Sequence, residues 1–248
     1  MSRHYRIQLY WLGRADSVRV MARQISTFLA ELAPIHPGLG RFLFEDKRSG
    51  KLTPVTSEAD CEEALVQKTV RWKTGATERI SYQPRFFVDR KAGAPVSLSI
   101  TCGIELVGLE SMFVPNRLEL LVSANVGDDR ASRPVLEAAM RSAISVFRPD
   151  FGYVGTESIP SPPLALFSNG TPVVGWLTYL RAAFPPVPRT LPAPAVVYPV
   201  KDLGTLIVAH PELFHEDNEA QRASMERVRD ALKEADVLVP ATSLPKAP

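Results

Sequence analysis

Between residues 80 and 123 three strand-like runs follow one another: ISYQPRFFVD, PVSLSITCGIEL and RLELLVS. In the second, Val96, Leu98, Ile100 and Cys102 alternate with small polar residues. That two-residue period is the signature of a strand with one buried face. Parallel pairing of successive strands needs a crossover of a dozen or more residues, usually a helix. No helical pattern separates these runs, so they are expected to form an antiparallel meander rather than a doubly wound sheet.

The flanking segments supply the rest of the layer. Tyr5, Ile7, Leu9 and Trp11 alternate with Arg6, Gln8 and Tyr10, a strand in which Trp11 shares the apolar face. Asp16 or Ser17 then offers a helix N-cap. Val18, Met21, Ala22, Ile25, Phe28, Leu29 and Leu32 recur at helical spacing, and Pro34 is the expected stop. Residues 36–56 read as loop with a short strand. Ser57 and Asp60 form a capping box for a helix over about 58–70. Ser132 caps another helix, with Pro134 in its first turn and a stripe of Leu136, Met140, Ala143, Ile144 and Phe147 that ends before Pro149. FGYVGTE and GTLIVAH read as strands. Asp217 or Asn218 caps a last helix bearing Met225, Val228, Leu232 and Ala235 on one face.

The expected fold class is therefore α+β, a mainly antiparallel sheet flanked by three or four helices in a single domain over residues 1–240. Residues 241–248 are expected to be a disordered tail. A length of 248 residues suffices for a core without disulfide or metal. Proline is the compositional exception, with 22 residues against an ordinary share of about 5%. Many fall in residues 159–200. That stretch also holds Trp176, Tyr179, Val196 and Val197, which a solvated linker would leave wet, so it reads as a packed irregular covering over the sheet.

The net charge of +2 predicts neither a nucleic-acid nor a membrane partner. Arg3, Arg6, Arg14, Arg19 and Arg23 lie near aromatic residues, but Trp11 belongs to the core alternation and not to a base-stacking platform. No stretch is apolar and long enough for a membrane span, and the N-terminus lacks the apolar segment of a secretory signal. Cys61 and Cys102 are far apart in the chain and read as free thiols of a reducing compartment, which places the protein in the cytoplasm.

Chemistry-bearing motifs are sparse. His210 and His215 sit with Glu212 and Glu216 in HPELFHE, but their spacing of five, with Pro211 after the first, is not that of a zinc helix. No nucleophile elbow or phosphate-binding glycine loop is present. Cys102 lies among apolar neighbours with no positive partner to make a thiolate. A metal-dependent nuclease would set an Asp before a Glu-x-Lys, whereas here Glu45-Asp46-Lys47 precedes Asp150 in a polar loop. The residues point to no catalytic group, no metal and no cofactor.

Several pieces in a consistent order resemble the immunity protein 52 family of bacterial polymorphic toxin systems. They are YWLGRADSVRVMARQISTFLAEL, LSITCG at 98–103, PDFGYV, VGWLTYL at 174–180 and DLGTLIVAHPELFHEDN at 202–218, followed by the final helix. Together they span roughly residues 5–240. The family is expected to read Trp-Gly-x-Arg after the first strand, and here Leu12 stands between Trp11 and Gly13. The resemblance implies an immunity protein without enzymatic activity. It would bind and neutralise a cognate toxin exported against competitors, as in type VI secretion, and the toxin would be a nuclease effector of restriction-endonuclease-like fold. Alternatives are an enzyme without a linear motif and an adaptor for another protein.

For toxin binding, the local acidic cluster Glu212, Glu216, Asp217 and Glu219 and the aromatics Trp176 and Tyr179 are the candidates. The segment GTPVVGWLTYLR leaves two readings open. It is either a packed corner, with Gly175 permitting a close approach, or an aromatic anchor in the toxin interface.

Overall fold

The structure, a computed structural model, describes residues 2–12, 14, 16–74, 77–88, 96–103, 116–125, 129–156 and 170–245. Residues 104–106 of the second strand-like run, much of the proline-dense stretch before residue 170 and the last three residues of the expected tail lie outside the described residues.

The strands in chain order are β1 (Ser2–Trp11), β2 (Phe42–Glu45), β3 (Leu52–Pro54), β4 (Thr69–Thr74), β5 (Thr77–Tyr82), β6 (Arg85–Val88), β7 (Val96–Thr101), β8 (Asn116–Asn125), β9 (Phe151–Thr156), β10 (Leu177–Arg181), β11 (Val196–Val200) and β12 (Gly204–Val208). Ten of them form one sheet in the order β11-β12-β10-β9-β1-β8-β7-β6-β2-β3. Every pairing is antiparallel. The expected meander is β6-β7-β8, with its first run divided: Ile80, Ser81 and Tyr82 end β5, and β6 begins only after Pro84. β4 and β5 leave the main sheet as a separate hairpin, joined to it by the bridge between Tyr82 and Cys102.

Among the described residues four helices flank the sheet: α1 (Val18–Ile35), α2 (Glu58–Gln67), α3 (Arg133–Phe147) and α4 (Glu219–Glu234). α1 and α3 pack on one face. From α1 come Met21, Ala22, Ile25, Phe28, Leu29 and Leu32, and from α3 Leu136, Ala139, Met140, Ala143, Ile144 and Phe147. They meet Tyr5, Ile7, Leu9 and Trp11, with Phe147 stacked on Trp11 at 5.7 Å and edge-on to Phe28 at 5.5 Å. Each large side chain so buried contributes about 1.5–3 kcal/mol relative to exposure.

The second face is covered over β1, β9, β10 and β12. Tyr10, Phe151, Tyr153, Leu180 and Ile207 pack there against Val228 and Leu232 of α4 and against Phe184 and Leu191 of the proline-dense segment. The described part of that segment is thus a packed covering, as expected. β9 is buried at all six positions because both its faces are covered. Gly152 keeps it close to β1, since a Cβ there would sit 2.2 Å from Leu9 Cδ2.

Two helix boundaries differ from the sequence expectation. α1 continues through Pro34, which lies in its last turn, where a missing N–H removes one bond, and His36 N–H still reaches the Leu32 carbonyl at 3.3 Å. α2 stops at Gln67 because Thr69 begins β4. Past residue 240 the chain keeps contacts with the rest of the fold up to Pro245. Ala241 opens a 3-10 turn and is buried, its N–H donates to Gly170 O at 3.0 Å, and Arg181 Nη2 donates to Pro245 O at 2.7 Å.

Candidate functional site

The chain leaves β12 at Val208 and runs irregularly to Asn218, the N-cap of α4. This ten-residue loop is fixed from beneath by side chains of four other segments. Trp176 Nε1 donates to His210 O at 2.9 Å, and Arg133 of α3 donates to Pro211 O. Tyr5 Oη on β1 donates to Phe214 O at 2.9 Å. Gln221, fully buried in the first turn of α4, donates from Nε2 to Leu213 O at 3.1 Å and accepts the His215 N–H at 2.6 Å. Phe214 is buried below.

The outer side of the same loop carries the acids. Glu212, Glu216, Asp217 and Glu219 are all exposed, and Glu219 begins α4, where the helix N-terminus favours negative charge. Between residues 210 and 219 the side chains that can carry positive charge are His210 and His215. The loop therefore presents a compact anionic surface on a backbone in which the carbonyls of His210, Pro211, Leu213, Phe214 and His215 are already bonded. Such a surface loses little conformational freedom on binding.

Trp176 lies beneath this surface rather than on it, and Tyr179 is buried further along β10. Their exposures are 0% and 1%. Tyr179 Oη donates to Leu203 O at 2.9 Å, and burial pushes its phenol well above the ordinary range. Gly175 is the close approach that the segment needs. A Cβ there would lie 2.6 Å from Val154 O, and Thr178 Oγ1 accepts the Gly175 N–H at 3.0 Å. The packed-corner reading describes both aromatics, and neither ring reaches the surface.

Among the described residues no three of His, Cys, Asp and Glu are grouped to hold a metal ion. Glu45 ends β2 and Asp150 precedes β9, five strand positions away. At about 4.8 Å per strand that separation is roughly 24 Å. The nuclease constellation is not assembled. Burial pushes the Cys61 thiol up to about 12 and the Cys102 thiol higher still, the reverse of nucleophilic activation.

Two polar clusters were not visible in the sequence. On β1, Gln8 Oε1 accepts hydrogen bonds from Tyr10 Oη at 2.8 Å and from Tyr153 Oη, while Gln8 Nε2 donates to Glu119. Gln8 and Tyr10 fell on the strand's polar alternation, but α4 and the proline-dense covering bury that side. The second cluster is Arg14, Asp150 and Arg181. Asp150 Oδ2 accepts the Leu12 N–H at 2.7 Å, and Arg181 Nε lies 2.8 Å from Asp150 Oδ1. Arg14 donates to Phe147 O at the end of α3 and its guanidinium stands 5.9 Å from the Trp11 ring centre.

Residues 3–241, nearly the whole chain, match the profile of the immunity protein 52 family. The chain belongs to that family. Among solved structures it is similar to a Pseudomonas aeruginosa T6SS protein, PA0821, with a TM-score of 0.55 and 13% identity, covering 96% of this chain and 77% of the other. At that identity the likeness concerns the fold alone. No curated protein sequence matches the chain. Leu12 follows the end of β1, and its N–H is taken up by Asp150. Among the described residues no helix is long and apolar enough to cross a membrane.

Proposed function

We propose that this immunity protein neutralises a cognate toxin protein by binding it directly, without chemistry of its own, and that residues 210–219 form part of the contact. The observation that carries the reading is the combination at this loop of four exposed carboxylates with a backbone tied down by Trp176, Arg133, Tyr5 and Gln221. A rigid anionic surface suits a cationic partner and speeds encounter with it. Nucleases present basic surfaces to their phosphate backbones, so a nuclease toxin fits this charge. Neutralisation of such a toxin inside the producing cell places the protein in the cytoplasm.

The test is protection of cells that express the toxin encoded beside this gene. Wild-type protein is expected to restore growth and to form a stable complex with that toxin. The fourfold reversal of Glu212, Glu216, Asp217 and Glu219 to Lys is expected to fold and to lose most of the protection. A wild-type protein that fails to protect removes the proposal, and a fully protective reversal variant removes this loop from it.

A further inference from the structure

The ten-stranded sheet ends in β3 on one side and β11 on the other. Both end strands carry exposed apolar side chains, Leu52 at 56% exposure and Val196 at 40%. An end strand of that kind is ordinarily a template for another strand. We propose that Pro54 and Pro199 close the two ends to strand addition, so that neither a second copy of this chain nor the toxin binds by extending the sheet. The toxin part of this inference rests on the function proposed above. The closure itself rests on the direction of each backbone N–H along the two strands.

On β3 the direction follows from the bonds at either end of its pairing with β2. Asp46 N–H donates to Lys51 O at 2.9 Å, and Val55 N–H donates to Phe42 O at 2.8 Å. Between them Glu45 faces Leu52, Phe44 faces Thr53 and Leu43 faces Pro54. Antiparallel partners alternate between pairs that exchange hydrogen bonds and pairs that do not. Thr53 therefore turns its backbone to β2, and Leu52 and Pro54 turn theirs outward. Pro54 has no N–H to offer. The next residue on that side, Thr56, gives its N–H to Asp60 Oδ2 at 2.8 Å, and before the strand Gly50 N–H folds back to Asp46 O at 2.8 Å. Among the described residues Leu52 is left as the one outward donor of this edge.

β11 repeats the arrangement in an unrelated sequence. Its pairing with β12 runs unbroken from Val196 opposite Val208 to Val200 opposite Gly204, with Pro199 opposite Thr205. A proline fits such a ladder where its nitrogen points away from the partner strand. By the same alternation Val197 also points outward, while Tyr198 and Val200 turn to β12. The next outward position is Ala195, whose N–H is taken by Pro192 O at 3.1 Å. Among the described residues Val197 is thus the one outward donor of this edge.

An added strand needs a row of donors and acceptors. Each edge offers a single N–H, with a proline on one side of it and an N–H already bonded on the other. Fixing each residue of an incoming strand costs about 1–2 kcal/mol of backbone entropy, and one hydrogen bond returns only about 0.5–1.5 kcal/mol. Core packing does not account for the prolines, since Pro54 and Pro199 are both exposed.

The test restores the missing donors. Pro54→Val and Pro199→Val each replace an exposed ring by a residue that favours strands, and both variants are expected to fold. Wild-type protein is expected to remain monomeric in sedimentation equilibrium at every soluble concentration. Its Leu52 and Val197 amides are expected to exchange at least about a hundredfold faster than those of Thr53 and Tyr198. The double variant is expected to self-associate as concentration rises, with exchange at Leu52 and Val197 slowed roughly tenfold or more. If the double variant precipitates, the single variants decide, because each opens one edge and stops at a dimer. Self-association of the wild type with protection of Leu52 or Val197 would overturn the proposal, as would folded variants that stay as monomeric as the wild type. In the toxin complex both amides are expected to keep their fast exchange, and slowing of either to the rate of Tyr198 would show that the toxin extends the sheet after all. If wild-type protein binds no toxin, the function proposed above fails, while the sedimentation of the variants still decides the edges.

Discussion

Asp150 and Arg181 meet at 2.8 Å where three strands of the sheet converge, and the pair is nearly enclosed, with side-chain exposures of 5% and 16%. The backbone of Asp150 donates to Tyr10 O at 2.8 Å and accepts from the Arg181 N–H at 2.9 Å. The residue thus ties the ends of β1 and β10 together through main chain and side chain at once. Arg181 Nε is near the carboxylate without being aligned for a good hydrogen bond, so the contact is chiefly an ion pair.

Replacing Asp150 by Asn is expected to cost no more than about 1 kcal/mol near neutral pH, because burial of the carboxylate offsets what its ion pair with Arg181 contributes. Urea unfolding of both proteins measures this. The pH dependence has a definite sign. Burial outweighs the Leu12 N–H, Arg181 and Arg14, and holds the Asp150 carboxyl above its ordinary value of 3.8. A raised folded-state value contributes stability that is complete below pH 3.8 and fades as pH rises through the folded value. The stability gap between wild type and Asp150→Asn is therefore expected to widen on acidification toward pH 3.8. A gap that narrows would show that the arginines, not burial, dominate.

Both thiols should be inert in the folded protein. Cys61 and Cys102 are fully buried, and burial disfavours their thiolates. A disulfide-exchange reagent at mildly alkaline pH is expected to label neither, and to label both once the chain is unfolded in denaturant. Rapid labelling of native Cys102 would mean that β7 opens locally or that a positive group reaches it.

How far the sequence reveals this molecule depends on how many sides each segment buries. β7 and the start of β1 bury one face toward the helices, so Val96, Leu98, Ile100 and Tyr5, Ile7, Leu9 alternate visibly. β9 buries both faces, and its run of Phe151, Gly152, Tyr153 and Val154 shows a strand without showing a side. Gln8 and Tyr10 look solvent-facing because nothing local announces that α4, more than two hundred residues on, will cover them. Residues 36–56 read as loop with one short strand where there are two, because β2 and β3 are only four and three residues long. At the candidate site the acids of residues 212–219 were legible as charge. The bonds that make their loop rigid come from Tyr5, Arg133 and Trp176, at separations no local pattern encodes. Trp176 itself was ambiguous because an indole suits a packed corner and an interface equally.

Trp176 should act on the partner through the loop and not by touch. Trp176→Phe retains most of the packing but strands the His210 carbonyl, an expected cost of about 1–2 kcal/mol. Hydrogen exchange over residues 210–218 is expected to quicken, and toxin affinity to fall through faster dissociation. Gly175→Ala is expected to be worse for folding, since its Cβ would meet the Val154 carbonyl at 2.6 Å and the backbone would have to move. If Trp176→Phe leaves exchange in the loop unchanged while weakening the complex, the indole contacts the partner after all.

The acidic loop makes the salt dependence of binding a direct reading of its role. Its four carboxylates are exposed, so their interactions within the monomer are screened and contribute little to folding. The single reversals Glu212→Lys, Asp217→Lys and Glu219→Lys are accordingly expected to leave stability within about 0.5 kcal/mol of wild type. Across an interface the same charges steer encounter with a cationic surface. Association of wild type with the toxin is expected to slow steeply as salt rises, while dissociation changes little. Each reversal is expected to slow association several-fold at low salt and to flatten the salt dependence, with the combined reversals giving about a tenfold loss or more. Stopped-flow mixing at graded ionic strength separates the two rates. An association rate indifferent to these four residues would remove the acidic loop from the encounter surface.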